Sequence, residues 1–221
     1  MKIQKLTIKG SPFIGVFART TETISLVPHG LSSKEKKTLQ QILETEIIPC
    51  SLANSSLIGI LAIGNQKGFL VPSIIEPREL EFLQERGIKI SALNGVEAIG
   101  NLVSVNDCHG LCSPALSSQT IQKIEKNLEI KLTKTRIAES DLVGAACVLS
   151  GKGFVCNANA NKTEVLKIQK STRLKGNLTS ANFGDPFIGN SILANSKGAV
   201  VGLHSTPHEI MAIEEALSGE A

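Results

Sequence analysis

The chain has 221 residues, 42% of them hydrophobic and 19% charged, a length that buries roughly 70% of the unfolded surface without disulfides or a structural metal. Lys and Arg number 23 against 20 Asp and Glu, a net charge of +3, too small to coat nucleic acid by bulk charge, so any RNA contact must be local. Seven Phe with no Tyr and no Trp argue against RNA-recognition sheets, single-strand stacking platforms, aromatic cages and tryptophan-signed WD40 blades.

Met1 to Ile8 reads as a strand, and its recurrent Lys, with Gly10 and Pro12 behind, is no signal peptide. Phe13-Ile14-Gly15-Val16 then opens the first of five copies of one pattern. The others are Leu57-Ile58-Gly59-Ile60, Ala98-Ile99-Gly100-Asn101, Leu142-Val143-Gly144-Ala145 and Phe187-Ile188-Gly189-Asn190, with glycines 44, 41, 44 and 45 residues apart. The apolar runs Leu57 to Gly64 and Leu142 to Leu149 read as strands buried on both faces. A second glycine follows at Gly68, Gly110, Gly153 and Gly198, with Ile24 in its place in the first copy, and it predicts a hairpin into strands such as Phe69 to Val71 and Ala199 to Val201. Asn65, Asn106, Ser150 and Asn195 recur six residues after their glycine, whereas the first copy is degenerate around Thr21-Glu22-Thr23 and its hairpin is expected to be looser.

A helix comes next in each copy. Ser32 with Glu35, Asn161 with Glu164 and Thr206 with Glu209 have capping-box spacing, and Pro77 and Pro207 suit a first helical turn. Ile121, Ile124 and Leu128, or Ile210, Ile213 and Leu217, give one apolar stripe per helix. Strands follow at Glu46 to Ser51, Ile88 to Leu93, Glu129 to Thr135 and Lys175 to Ser180.

The predicted fold class is therefore α/β: one domain of five strand-strand-strand-helix repeats, at about 1–44, 45–87, 88–128, 129–173 and 174–221, arranged as a five-fold pseudosymmetric ring. The repeated glycine is expected where five inner strands converge on one axis and leave little room for side chains. An axial channel between polar strand ends is expected to hold water.

Gly59 to Gly64 has the glycine spacing of a phosphate loop, but Asn65-Gln66 follows where Lys and Ser or Thr are required. Cys108-His109-Gly110-Leu111-Cys112 gathers three soft ligands, yet a closed zinc site needs four and no second cluster exists, so packed apolar cysteines are the reading adopted and no metal is assigned. His204 and His208 are read as surface residues. Five cysteines, an odd number without framework spacing, fit a reducing compartment. Lys162 to Lys175 is a basic run and Ser205 to Ala221 an acidic one, which suggests two faces of opposite sign, each also explicable as a solvated helix face.

Taken with the five-fold period, the strings Ser55-Ser56-Leu57-Ile58-Gly59, Gly64-Asn65-Gln66-Lys67-Gly68-Phe69-Leu70-Val71-Pro72, Ala98-Ile99-Gly100-Asn101, Leu142-Val143-Gly144, Gly151-Lys152-Gly153-Phe154-Val155 and Ala194-Asn195-Ser196-Lys197-Gly198-Ala199 resemble the translation initiation factor 6 family over the whole chain. The resemblance implies a pentein, a five-fold α/β propeller, of the shorter archaeal type. It implies a cytoplasmic, monomeric protein that is no enzyme, uses no cofactor and has no membrane partner. Its partner would be the large ribosomal subunit, at the ribosomal protein and rRNA near the sarcin–ricin loop, where occupancy keeps the small subunit from joining. Release by an elongation-factor-like GTPase or a partner protein is implied as well.

The family's contacts lie on one rim, next to the repeated glycine. Carried over position by position, they give Asn101 first, then Ile60, Asn190, Asp141 and Phe187, although an Asn after Gly also suits a turn and Phe187 also suits a core. The chain departs from the family at Asn182-Phe183-Gly184-Asp185, where an Asn-Arg-Gly-Ser string is usual, so an arginine is lost and an acid gained. Two alternatives stay open. Guanidine-modifying pentein enzymes share the architecture and use a Cys nucleophile near the C-terminal end, but no cysteine here lies beyond Cys156. A general RNA-binding scaffold would use the Lys162 to Lys175 cluster.

Overall fold

The computed structural model describes residues 1–220. In chain order its strands and longer helices are β1 (Lys2–Leu6), β2 (Arg19–Thr20), β3 (Ile24–Pro28), α1 (Ser33–Leu43), β4 (Glu46–Cys50), β5 (Ile63–Asn65), β6 (Gly68–Pro72), α2 (Pro77–Gln84) and β7 (Ile90–Leu93), then β8 (Val103–Val105), β9 (His109–Cys112), α3 (Ser118–Leu128), β10 (Lys131–Lys134), β11 (Cys147–Leu149), β12 (Gly153–Asn157), α4 (Lys162–Thr172), β13 (Lys175–Thr179), β14 (Ile192–Ala194), β15 (Gly198–Gly202) and α5 (Pro207–Ser218). They form five separate three-stranded sheets.

Each sheet is built the same way. A short inner strand pairs antiparallel with the second strand, as Ile63 does with Leu70, and after the helix a third strand returns parallel, with Phe69 opposite Ile90. The sequence repeat and the sheet are out of phase by one strand, because the third strand comes after the helix. Hence β1, at the chain start, completes the last sheet by running parallel to β15, from Lys2 opposite Gly198 to Leu6 opposite Gly202. That pairing ties the two ends of the chain together.

The core confirms a closed ring. It divides into five apolar clusters, one at each junction between neighbouring sheets. Leu26 and Ile48 of the first sheet pack with Phe69 and Val71 of the second, and Val27 and Leu39 pack with Leu193 and Val200 of the fifth. Each fully buried Leu, Ile or Val contributes about 1.5–3 kcal/mol of transfer free energy, so no single sheet could hold its faces dry without its two neighbours.

The helix starts follow the capping signals. Ser32 with Glu35, Asn161 with Glu164 and Thr206 with Glu209 form complete capping boxes, and Pro77 and Pro207 stand in the first turn. One expectation is corrected: the apolar runs are not continuous strands. Ile14–Phe17, Ile58–Leu61, Ile99–Leu102 and Val143–Ala146 are single helical turns, Ile188–Asn190 is a 3₁₀ turn, and the inner strand starts only after them. Period and hydropathy do not separate a buried turn from a buried strand, because both are uniformly apolar.

The glycines lie in these turns and not on the inner strands. A Cβ on Gly59 would overlap the carbonyl oxygen of Gly15, one on Gly100 that of Gly59, one on Gly144 that of Gly100, one on Gly189 that of Gly144, and one on Gly15 that of Gly189. The five turns therefore close a ring at backbone contact around the axis.

At the opposite end of the axis, side-chain hydrogen bonds join three of the five pairs of neighbouring hairpins. The Asn65 amide donates to the Leu128 carbonyl (2.9 Å) and the Asn106 carbonyl (3.3 Å), Asn106 donates to the Ser150 carbonyl (2.7 Å), and Asn195 donates to the carbonyls of Leu43 (2.7 Å) and Thr21 (3.1 Å). Leu43 and Leu128 end α1 and α3, so these amides satisfy last-turn carbonyls that a helix leaves unpaired. The first hairpin, expected to be loose, has the shortest inner strand, yet Thr21 Oγ1 accepts from the N–H groups of Ile24 (3.1 Å) and Thr23 (3.4 Å) and closes its turn.

Candidate functional site

The glycine-ring end carries the residues predicted to make contacts. The residue before each one-turn helix has φ between −96° and −83° and ψ between 51° and 66°, close to an inverse γ-turn. This bend turns the chain from the outer third strand across the rim toward the axis.

Four rim turns have one design. The side chains of Ser11, Ser55, Ser140 and Asp185 accept from the backbone N–H two residues on, that of Phe13 (3.2 Å), Leu57 (3.1 Å), Leu142 (3.1 Å) and Phe187 (2.8 Å). Asp185 thus does in its turn what the serines do in the other three. Its carboxylate is engaged within its own turn.

Behind three of these turns stands the capping-box glutamate of the following helix. Glu79 accepts from the Ser51 hydroxyl (2.6 Å) and from the N–H groups of Ala53 (2.7 Å) and Asn54 (3.0 Å). Glu164 accepts from Ala138 (3.0 Å) and Glu139 (3.3 Å), and Glu209 from Ser180, Phe183 and Gly184. The residues so held include positive-φ positions Ala53, Asn54, Ala138, Glu139 and Phe183, a conformation costly for side-chain-bearing residues. The rim loops are held in shape by these carboxylates, of which Glu79 and Glu209 are buried and Glu164 is half-buried. Glu209 was read from sequence as part of an acidic run, but it is 5% exposed, and Glu214 of the same helix pairs with the N-terminal amine (3.0 Å). The acidic face is therefore partly consumed by structure.

The structure brings all five predicted residues to this end. Ile60, Asn101 and Asn190 are equivalent third positions of their turns, each half-buried. The Asn101 backbone N–H donates to Ala98 (3.1 Å), and its amide pairs with no protein group among the described residues. Asp141 accepts from Arg136 Nε (2.8 Å) in an exposed pair, a geometry of small energetic value. Phe187 packs against the cluster of Val143 and Phe154, so part of its ring is core.

Sequence reasoning missed the apolar collar beside them. Phe13, Leu57 and Leu142 are 39%, 38% and 40% exposed at equivalent positions, and Phe183 is 82% exposed on the adjacent loop. The signal was two successive apolar residues before each glycine, of which a single helical turn can bury only one.

Other chemistry is sparse. Burial pushes the Cys50 thiol up to about 12 and Cys112 to about 11, and burial with the neighbouring Cys147 sulfur (3.0 Å) raises Cys156. Such thiols are poor nucleophiles at neutral pH. Among the described residues no group of three His, Cys, Asp or Glu is placed to hold a metal, and no helix is long and apolar enough to cross a membrane. His204 and His208 are exposed, as are Lys162, Lys167, Lys170, Arg173 and Lys175 on and beside α4.

Comparison with known proteins agrees with the repeat. The sequence pattern of the eIF-6 family matches residues 3–216. A translation initiation factor 6 of Saccharolobus islandicus is 33% identical, covering 98% of this chain and 99% of its own. Those of Pyrococcus abyssi, 33% identical over 98% and 99%, and Staphylothermus marinus, 31% identical over 100% of both chains, are similar at the same level. With its five-fold ring and a match across nearly every residue, this chain belongs to the eIF-6 family.

Proposed function

We propose that the chain acts in translation initiation by binding the large ribosomal subunit through the glycine-ring rim, and that its presence there keeps the small subunit from joining. The observation that carries this reading is the family match over the whole ring, since relatives named translation initiation factor 6 cover almost their full length with it. The rim supports it: turns held by Glu79, Glu164 and Glu209 present partly exposed apolar residues, and the neighbouring third turn adds the free amide of Asn101, a mixture suited to a protein surface beside RNA. The proposed contact is the ribosomal protein and rRNA near the sarcin–ricin loop. Action is steric and non-enzymatic, by a cytoplasmic monomer of the pentein type, with release by an elongation-factor-like GTPase or a partner protein.

Sedimentation of the purified protein with large subunits tests the reading. Co-migration at moderate salt, with loss of joined ribosomes when small subunits are added, is expected. Protein left at the top of the gradient would overturn it. The exposed cations of α4 favour a second reading, direct RNA binding, which would appear as salt-sensitive affinity for free RNA without preference for the subunit.

A further inference from the structure

The inner strands β2, β5, β8, β11 and β14 enclose an axial cavity of about 40 Å³. Each of them is the edge strand of its sheet, so one row of its backbone groups lacks a sheet partner and gives the cavity a polar wall. Four residues after the ring glycine, the copies carry Ile63, Ser104, Val148 and Leu193, but the first carries Arg19.

Arg19 is half-buried and lines the cavity. Its Nη2 donates to the Gly59 carbonyl of the glycine ring, while its Nε is buried with no hydrogen-bond partner. The ion pairs among the described residues all use other cations. Among the described residues, none of those lining this cavity is acidic, and the acids lining the space at the hairpin end are already engaged, Glu22 by the N–H and hydroxyl of Ser196 and Asp107 by the N–H of Gln66 (2.8 Å). Burial brings the guanidinium down to about 10, which leaves it charged at neutral pH.

A charge only partly hydrated, with one buried donor unpaired and no counter-charge beside it, is disfavoured unless something compensates it. Water would satisfy Nε but leave the charge unbalanced. The volume admits roughly three water-sized particles, which accommodates a halide and excludes nucleotides and organic anions as large as gluconate. We propose that the axial cavity binds one small inorganic anion, which accepts from Arg19 Nε beside Ser104 at the centre of the five-fold ring. Because every sheet contributes a wall, a bound anion ties the five sheets together, and folding stability is linked to its concentration.

Diffraction at the bromine absorption edge, from crystals grown in sodium bromide, tests this. One anomalous peak in the axial cavity within hydrogen-bond distance of Arg19 Nε is expected, and its loss in Arg19→Met. A cavity without a peak, or a peak that persists in the variant, overturns the proposal. Should Arg19→Met fail to fold, the wild-type unfolding midpoint is titrated with sodium bromide against sodium gluconate, an anion too large for the cavity, at matched ionic strength. A saturable upward shift in bromide alone is expected, and equal responses overturn the proposal.

Discussion

The carbonyl oxygen of Gly15 stands where a Cβ on Gly59 would be, and the same relation passes through Gly100, Gly144 and Gly189 back to Gly15. The obstruction is backbone on both sides, so it cannot swing away as a side chain would. Gly100→Ala is expected to cost about 3 kcal/mol or to prevent folding. Gly151→Ala serves as the control, because the added carbon would make only ordinary contacts, with Ser196 Cβ at 3.4 Å and Glu22 Oε1 at 4.0 Å, with a change within about 0.5 kcal/mol. Urea unfolding of the two variants checks this, and equal midpoints would show that the ring is not under contact.

Glu209 gives the fold a predictable acid limb. Burial alone would raise its pKa, but hydrogen bonds from the Ser180 hydroxyl (2.6 Å) and the N–H groups of Thr206 (2.7 Å), Gly184 (2.9 Å) and Phe183 (3.2 Å) outweigh it and bring the carboxyl to about 2. The folded value lies below the ordinary 4.5. Its stabilisation is thus present above pH 4.5 and is lost as pH falls from 4.5 toward 2. Glu79 is shifted in the same direction: burial opposes, and bonds from Ser51, Asn54, Glu76 and Ala53 prevail. Glu209→Gln is expected to lose about 2–3 kcal/mol at neutral pH and to flatten the acid limb. Parallel stability curves from pH 6 down to the acid limit would refute the assignment.

Asn195 joins the last hairpin to the first sheet and to the end of α1. Asn195→Ala removes amide bonds to Leu43 and Thr21 and strands the N–H groups of Lys197 (3.0 Å) and Gly198 (3.2 Å). A loss of about 2–3 kcal/mol is expected. Amide exchange checks the location: the N–H groups of Lys197 and Gly198 should lose protection before those of the Gly68–Pro72 strand do.

Asn101 separates binding from folding. With its amide unpaired and its side chain half-buried, Asn101→Ser is expected to leave stability within about 0.5 kcal/mol while weakening co-sedimentation with large subunits roughly tenfold or less. Unchanged co-sedimentation would remove Asn101 from the contact.

The period of about 44 residues, the hairpins, the capping boxes and the family were all legible in the chain itself, because each rests on short-range spacing: a glycine before a strand, a Ser three residues before a Glu, a second glycine at a turn. The one-turn helices were not, since an apolar run of four residues has the same composition whether it coils or extends. The collar of Phe13, Leu57 and Leu142 was missed for the same reason.

Ring closure decided the rest. Why each glycine must be glycine depends on a carbonyl one copy back, about 44 residues away for four of them and, for Gly15, in the last copy of the chain. Why Glu209 is a buried clamp and not a solvated acid depends on the loop at Phe183 folding back onto α5. Why Arg19 stands apart depends on four neighbours that only the axis brings to face it. Spacing along the chain determined what each unit would be, but burial, contact and charge balance are set by residues from other units, so only the assembled ring could determine them.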